Sequence, residues 1–439
     1  MKLTVEKVIY GGQGLARVPS EEGSYSGMRV FVPFTLPGEV VEADITEEHR
    51  GYCVAEARQI ERASEFREVP PCPWFGTCGG CQLQHAAYSH QLELKRDMLT
   101  ETLNRAGIRE LPPIQTLAGA PFGYRNRIRL QIQAQPRFAI GYRQAKSHRL
   151  TAIEGCSIAA PLLERCIGAI RELGLQRNIP PHARELELFT NRDQSELLIT
   201  LWTTESSKFN ETRYTELFVR MQNEIPQVSG AIVLPAEKAK PHALKPLLHW
   251  GKPALQYRAA GHEYIVSIGS FFQINALILD EFVSRVTEGK SGAVAWDLYA
   301  GVGLFSRALA ERFREAVAVE SSPSACCDLK KNLHGTNAVA ISSTTQDFLR
   351  SASRQIAERR TSAPDFVLLD PPRAGVGAET CNLLALCNPP QIVYVSCDPP
   401  TLGRDLSVLI QSGYRLDRLQ LVDLFPQTYH LETIATLHR

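Results

Sequence analysis

Three observations predict an α/β protein of several units that ends in a doubly wound parallel sheet. From about Ser267 onward, short apolar strand runs alternate with helical stretches, the pattern of successive βαβ units. Residues 1–62 instead hold closely spaced strand patterns separated by turn residues, as in a small closed barrel. The length, 439 residues, exceeds what one hydrophobic core serves. The expected division is an OB-like β-barrel over 1–62, a mixed α+β central domain over 63–265 and the doubly wound domain over 266–439.

In the barrel region Val5–Tyr10 precedes the turn Gly11-Gly12-Gln13-Gly14, and Met28–Phe34 is stopped by Pro37-Gly38. Val40–Ile45 and Tyr52–Ile60 supply two further strands. Residues 63–81 break the pattern with Pro70, Pro71, Pro73 and a group of cysteines. Tyr88–Ala106 reads as a helix ended by Gly107. Strands recur between Arg125 and Trp202, with a helix over Pro161–Leu173. Arg125–Ile132 alternates strictly, which puts Arg125, Arg127 and Arg129 on one face and Ile128, Leu130 and Ile132 on the other. In the last domain the buried-strand runs are Ala293–Leu298, Ala316–Glu320, Ala338–Ile341, Phe366–Asp370 and Ile392–Val395.

With 44% apolar and 22% charged residues, the composition is that of an ordinary globular protein, and no apolar run is long enough to span a bilayer. The first residues lack the apolar centre of a signal peptide, so the expectation is a cytoplasmic, monomeric protein with no membrane partner. The 11 cysteines are then reduced thiols or metal ligands. A net charge of +1 conceals a basic middle: residues 67–270 carry 25 basic against 18 acidic groups. No acidic residue lies between Glu110 and Glu154, where Arg125, Arg127, Arg129, Arg137, Arg143, Lys146 and Arg149 fall. Phe122, Tyr124, Phe138 and Tyr142 are interleaved with them, which points to RNA as partner.

Chemistry concentrates near the end of the chain. The strand Ile392–Val395 runs to Ser396-Cys397-Asp398-Pro399, so Cys397 stands just past a carboxyl strand end, where open α/β sheets bind ligands. Glu432 follows in His430-Leu431-Glu432, on an adjacent strand end. A thiol and a carboxylate so placed suit alkylation at carbon 5 of a pyrimidine. The thiolate adds at carbon 6 to make carbon 5 nucleophilic, and a base then removes the carbon 5 proton. Methylation of an amine needs no such pair, although Asp370-Pro371-Pro372 is similar to the motif of adenine and cytosine amino-methyltransferases and keeps that alternative open. A third possibility is an RNA-binding factor without catalysis.

The loop Asp297-Leu298-Tyr299-Ala300-Gly301-Val302-Gly303 and Glu320 at the next strand end mark a nucleotide-type cofactor site. Asp297, aimed into the crevice ahead of the glycines, would repel a pyrophosphate and attract a sulfonium, which favours S-adenosylmethionine over a dinucleotide. Cys72, Cys78 and Cys81 make a C-x5-C-x2-C group that calls for a fourth thiolate, and Cys156 is the candidate. Four thiolates suit zinc or a 4Fe–4S cluster, and a three-plus-one arrangement is more typical of iron–sulfur proteins.

Ser270-Phe271-Phe272-Gln273-Ile274-Asn275, Asp-Leu-Tyr-Ala-Gly-Val-Gly, Asp-Pro-Pro-Arg, Ser-Cys-Asp-Pro and His-Leu-Glu occur in the order and approximate spacing of one family. Over nearly its whole length the sequence resembles the RNA (uracil-5-)-methyltransferases of the ribosomal-RNA-modifying kind. That resemblance implies a class I, Rossmann-like methyltransferase domain and an N-terminal TRAM domain over residues 1–60. It implies Cys397 as nucleophile and Glu432 as general base. It also implies Gln273, Tyr299, Glu320, Asp347 and Asp370 as cofactor contacts beside Gly301, with Gln273 and Asp370 near the target uracil. Cys72, Cys78, Cys81 and Cys156 correspond to the ligands of a 4Fe–4S cluster, and the helix after them packs with the catalytic domain. The expected product is 5-methyluridine in 23S ribosomal RNA, with transfer RNA as the alternative substrate.

Overall fold

The computed structural model describes residues 1–19, 26–145, 147–205, 209–236 and 245–439, so Lys146 of the basic stretch lies outside the described residues. Strands β1 (Lys2–Val8), β2 (Gln13–Arg17), β3 (Arg29–Pro33), β4 (Val40–His49) and β5 (Tyr52–Arg62) close a barrel in the order β1-β2-β3-β5-β4. Small aliphatic side chains from every strand, among them Leu3, Ala16, Val30, Val41 and Ala55, fill it. The strand β2 is absent from the sequence reading because its Gln-Gly-Leu-Ala-Arg is too short and too glycine-rich to register as one.

After the cysteine segment come helix α1 (Tyr88–Arg105) and strand β6 (Ile114–Leu117). The central sheet comprises β7 (Arg127–Gln133), β8 (Ala139–Arg143), β9 (Leu150–Ala152), β10 (Ala183–Thr190), β11 (Leu197–Thr203), β12 (Val228–Pro235) and β13 (Leu248–Gly251). Their order is β13-β12-β11-β10-β7-β8-β9. Helices α2 (Pro161–Leu175) and α3 (Glu211–Glu224) bury their apolar stripes in that sheet's core. A hairpin of β14 (Ala254–Ala259) and β15 (His262–Ser267) then leads into the last unit.

The alternation expected in β7 is present, with Ile128, Leu130 and Ile132 buried. Its arginines, however, serve the protein itself. Arg127 lies over the Phe189 ring at 3.8 Å and donates to the Ser270 carbonyl at 2.9 Å. Arg129 lies over Trp202 at 4.0 Å, and both Arg129 and Arg143 pair with Glu185. The acidic partners come from β10, outside the one-sign stretch, so a linear charge count could not reveal the neutralisation. Arg137 and Arg149 remain exposed.

The last unit is built from α4 (Leu279–Thr287), β16 (Gly292–Leu298), α5 (Leu304–Ala310), β17 (Phe313–Glu320), α6 (Pro323–Asn332) and β18 (Ala338–Ser342). It continues with α7 (Thr345–Ala357), β19 (Phe366–Leu369), α8 (Gly377–Cys387), β20 (Gln391–Ser396), α9 (Pro399–Gln411), β21 (Arg415–Val422) and β22 (Glu432–His438). The sheet order is β18-β17-β16-β19-β20-β22-β21-β6. Strands β16 to β20 are parallel, as the βαβ texture requires, whereas β22 inserts antiparallel between β20 and β21.

The edge strand β6 and helix α1 belong to this sheet although they precede the central domain in sequence, so a single boundary at 266 does not divide the chain. The physical reason is the apolar face of α1. Leu94, Met98, Leu99 and Leu103 are buried in one core with Leu402, Leu406 and Leu409 of α9, on the order of 2 kcal/mol for each side chain removed from water. Lys95 on the same helix is fully buried and donates to Asp423 Oδ1 at 2.6 Å. Breaking such a pair from one side costs about 3–5 kcal/mol, which fixes α1 against the segment between β21 and β22. Among the described residues no helix is long and apolar enough to cross a membrane.

Candidate active site

Two strand ends bring the chemistry together. In the antiparallel ladder of β20 and β22, Ser396 pairs with Thr433, so the next step of the register sets Cys397 opposite Glu432. At Cys397 the chain turns from strand to helix. Asp398 caps α9 by accepting from the Thr401 N–H at 3.0 Å, and Pro399 occupies the first helical position. The thiol is therefore half-buried at the head of a strand, not sunk in the core. Burial, then the Glu432 carboxylate, pushes its pKa up to about 12, while Arg373 pulls the other way. Glu432 is buried, and burial together with Asp370 raises its carboxyl well above the usual range, again against Arg373.

These groups are one end of a row of acids. Burial, then Glu320, pushes Asp297 up to about 7. Asp370 is partly exposed as a residue, yet the enclosure of its carboxyl, then Asp297, raises it to about 7. Asp370 in turn acts on Glu432 and on Cys397. Like charges thus run from Glu320 through Asp297 and Asp370 to the Cys397–Glu432 pair, along the carboxyl ends of β17, β16, β19 and β20. A cation lodged against that row would lower every one of these pKa values. Asp297 itself does not face the open crevice as expected. It is fully buried, with Oδ2 accepting from the Ser306 hydroxyl and Oδ1 left without a partner.

The loop after β16 carries the cofactor-site signals. Tyr299 adopts φ +67°, a conformation that a bulky residue takes only when its surroundings impose it. Gly303 has φ +92°, a conformation that strains any other residue, and a Cβ there would also press on Leu329 Cδ1 at 2.8 Å. Glu320 binds this loop: Oε2 accepts from the Gly301 N–H at 2.9 Å, and Oε1 accepts from Ser321 and Ser322 at 2.7 and 2.6 Å. Three donors leave room on the carboxylate for one more. Gln273 Nε2 donates to Asp370 Oδ2 at 3.3 Å, which joins these two predicted residues. Asn126 steadies Gln273 by donating to its carbonyl at 3.1 Å. Asp347 is exposed in the first turn of α7, where Thr344 Oγ1 donates to it at 2.7 Å and Arg350 at 3.2 Å.

Cys72, Cys78, Cys81 and Cys156 line one cavity with Trp74, Arg125 and Tyr142. The first three come from the turn before α1, and Cys156 from the loop after β9. The Tyr142 hydroxyl donates to Cys156 Sγ at 3.8 Å and the Gly80 N–H to Cys78 Sγ at 3.4 Å. Burial, with the neighbouring thiols adding to it, holds Cys78 at about 11 and Cys81 at about 12. Among the described residues no group of three or more Cys, His, Asp or Glu is gathered closely enough for a single metal ion. The four thiols line a hollow, with the Gly80 N–H and the Tyr142 O–H directed at sulfur.

Sequence reasoning missed two contributors. Arg373, the last residue of Asp-Pro-Pro-Arg, opposes the raised pKa of both Cys397 and Glu432. Tyr10 comes from the barrel, nearly four hundred positions away in the chain, and its hydroxyl donates to Asp398 Oδ2 at 3.3 Å. Its ring meets Tyr429 edge-on at 5.5 Å. No local pattern foretells that contact.

A doubly wound sheet with an inserted antiparallel strand and a row of acids along its carboxyl strand ends is the setting of an S-adenosylmethionine-dependent methyltransferase. Residues 87–439 match the family described as tRNA (Uracil-5-)-methyltransferase, and residues 1–57 match the TRAM domain. The chain belongs to the tRNA (uracil-5-)-methyltransferase family. It is 32% identical over 445 residues to an "Uncharacterized RNA methyltransferase" of Aquifex aeolicus, covering 100% of this chain and 98% of that one. To the 23S rRNA (uracil(1939)-C(5))-methyltransferase RlmD of Chromohalobacter salexigens it is 32% identical over 459 residues, covering 100% and 89%. The solved tRNA (uracil-54, C5)-methyltransferase of Pyrococcus abyssi, in complex with S-adenosyl-L-homocysteine, has a TM-score of 0.76 at 25% identity, with 100% of both chains covered.

Proposed function

We propose that this enzyme methylates carbon 5 of a uridine in 23S ribosomal RNA through a covalent adduct at Cys397, with Glu432 as the base. The observation that carries the mechanism is the Ser396–Thr433 pair that ends the β20–β22 ladder, beyond which Cys397 is the next residue on one strand and Glu432 the next on the other, close enough for the carboxylate to act on the thiol. S-adenosylmethionine, held by Gln273, Tyr299, Gly301, Glu320, Asp347 and Asp370, supplies an electrophilic methyl group and a positive charge beside the acid row. The target base leaves its stack to reach the thiol, at about a few kcal/mol if paired. Addition of the Cys397 thiolate forms the sulfur–carbon 6 bond and moves an electron pair to carbon 5, which would take the methyl group as its bond to the sulfonium sulfur breaks and S-adenosylhomocysteine leaves. Glu432 then removes the carbon 5 proton, the pair returns to the ring, and the sulfur–carbon 6 bond breaks. Arg373 favours the charged forms of both groups throughout.

Ribosomal RNA is supported by the full-length relatives that carry that substrate in their names, and transfer RNA by the Pyrococcus abyssi enzyme. Mapping 5-methyluridine in RNA from a strain lacking the protein decides between them. Loss of one 23S position is expected, whereas loss confined to transfer RNA would sink the ribosomal assignment. Cys72, Cys78, Cys81 and Cys156 would hold a 4Fe–4S cluster that shapes the protein without entering the reaction. The domain limits proposed are a TRAM barrel over 1–62, a central domain that excludes 88–117, and a catalytic domain that includes them.

The acid row makes cofactor binding depend on pH. Asp297 and Asp370, both near 7, are largely neutral at about pH 6 and largely ionised at about pH 8. S-adenosylmethionine differs from S-adenosylhomocysteine by the methyl group on sulfur and the positive charge that comes with it. Its preference over the uncharged product is expected to grow about tenfold across that interval, as read by calorimetry, and to flatten in Asp297→Asn. A flat preference in the unsubstituted enzyme would show that these acids do not read the cation.

A further inference from the structure

The segment Asp423–Leu431, which delivers Glu432 to the site, makes a turn of its own through Thr428, which donates to Phe425 and accepts from His430, and is otherwise held by groups from elsewhere in the chain. Four consecutive carbonyls each take a distant donor. Leu424 accepts from Asn275 Nδ2 at 3.2 Å, Phe425 from Lys95 Nζ at 3.0 Å, and Pro426 from the Tyr124 hydroxyl at 3.0 Å. The Gln427 carbonyl takes the N–H groups of both Gln82 and Leu83, each at 3.0 Å. The Gln91 amide brackets Gln427 as well: Nε2 donates to its Oε1 at 3.0 Å, and Oε1 accepts from its N–H at 3.2 Å. Asp423 is clamped by Lys95 at 2.6 Å and by the Tyr88 hydroxyl at 2.9 Å. Gln427 is buried and sits at φ +70°, a conformation a glutamine keeps only when its neighbours over-determine it.

All these donors except Asn275 lie between Gln82 and Tyr124, and the first of them directly follows Cys81. Gln82 joins both ends of the connection. Its backbone N–H holds Gln427, while its side chain donates to the Gly79 carbonyl at 2.9 Å inside the cysteine turn. Gln84 accepts from the Cys72 N–H at 3.3 Å in the same turn. The four-thiol site is thus wired by consecutive residues to the strand entry that places the base.

We propose that Gln82–Lys95 together with Tyr124 is a brace that sets Glu432 opposite Cys397, anchored upstream by the four-thiol site. Its purpose is proton removal, so disturbing it stalls the enzyme on its adduct instead of weakening RNA capture. Gln82, Gln91, Lys95 and Tyr124 are positioning residues, and the inference rests on Glu432 being the base. Hydrogen-bonded placement of this kind governs rate because a catalytic group displaced by about 1 Å forfeits up to about a hundredfold in turnover.

The test uses the full chain with Tyr124→Phe, Gln91→Ala and Cys81→Ser, incubated with RNA from a strain lacking the protein. Turnover is expected to fall about tenfold or more, with KM for RNA and cofactor affinity within about twofold of the parent. A protein–RNA adduct should accumulate on denaturing gels in all three variants. Wild-type turnover in Tyr124→Phe and Gln91→Ala, or a rise in KM alone, overturns the brace, as does loss of cofactor affinity without adduct. Glu432→Gln run alongside separates the two readings. If it traps no adduct the assignment of the base fails, and if it alone traps adduct only the brace fails.

Discussion

Replacing Cys397 with alanine is expected to lower methyl transfer by about four orders of magnitude or more, with no adduct formed and cofactor affinity unchanged. The expectation follows from the chemistry of the ring, whose carbon 5 is a poor nucleophile until sulfur has added at carbon 6. Nothing else at this strand end can make that bond. Asp398 is committed to capping α9, and the Ser396 hydroxyl donates back to the Asp398 carbonyl at 3.2 Å. Because Cys397 lies outside the packed core, the alanine variant should keep its melting temperature, so lost activity would report chemistry. The check is methyl incorporation into RNA from a deletion strain beside calorimetric titration of S-adenosylmethionine. Substantial activity in the variant would favour amino-methylation by Asp370-Pro371-Pro372, and the product would then be methylated adenine or cytosine.

Glu432→Gln is the second large effect, and it differs in kind. The amide keeps the shape of the carboxyl but cannot take the carbon 5 proton, so addition and methylation proceed while elimination stops. A stable protein–RNA band should build up under denaturing conditions, and multiple-turnover rate should drop by about a hundredfold or more. Removing a buried carboxyl whose pKa is already raised also relieves the acid row, so the variant is expected to be at least as stable as the parent. Release of free methylated RNA at the parent's rate would remove Glu432 from the role of base.

The chain's own text carried much of this picture. The strand runs of β16, β17, β19 and β20 are largely buried in a parallel sheet, so their apolar composition announced them. Strand β18, also expected as a buried strand, is instead the edge of the sheet and leaves Val339 exposed. The turn residues after Ser396 likewise declared that Cys397 would stand at a strand end. Harder to read were groups whose meaning depends on partners remote in sequence. The arginines of β7 looked like a surface for a polyanion until Glu185, Phe189 and Trp202 arrived from β10 and β11. Asp297 looked open to the crevice until Ser306 turned it inward.

By itself, the sequence determined the family and the alternation of strands and helices, and it marked the candidate site residues, because periodicity and motif spacing are local properties of the chain. Only the tertiary structure decided that β6 pairs onto the edge of the catalytic sheet, that acids from four strand ends form one row, and that Gln82 to Lys95 grip the segment before Glu432. Each of these is a contact between residues tens to hundreds of positions apart, chosen by burial and by the need of enclosed polar groups for partners. No window of sequence contains both sides of such a contact.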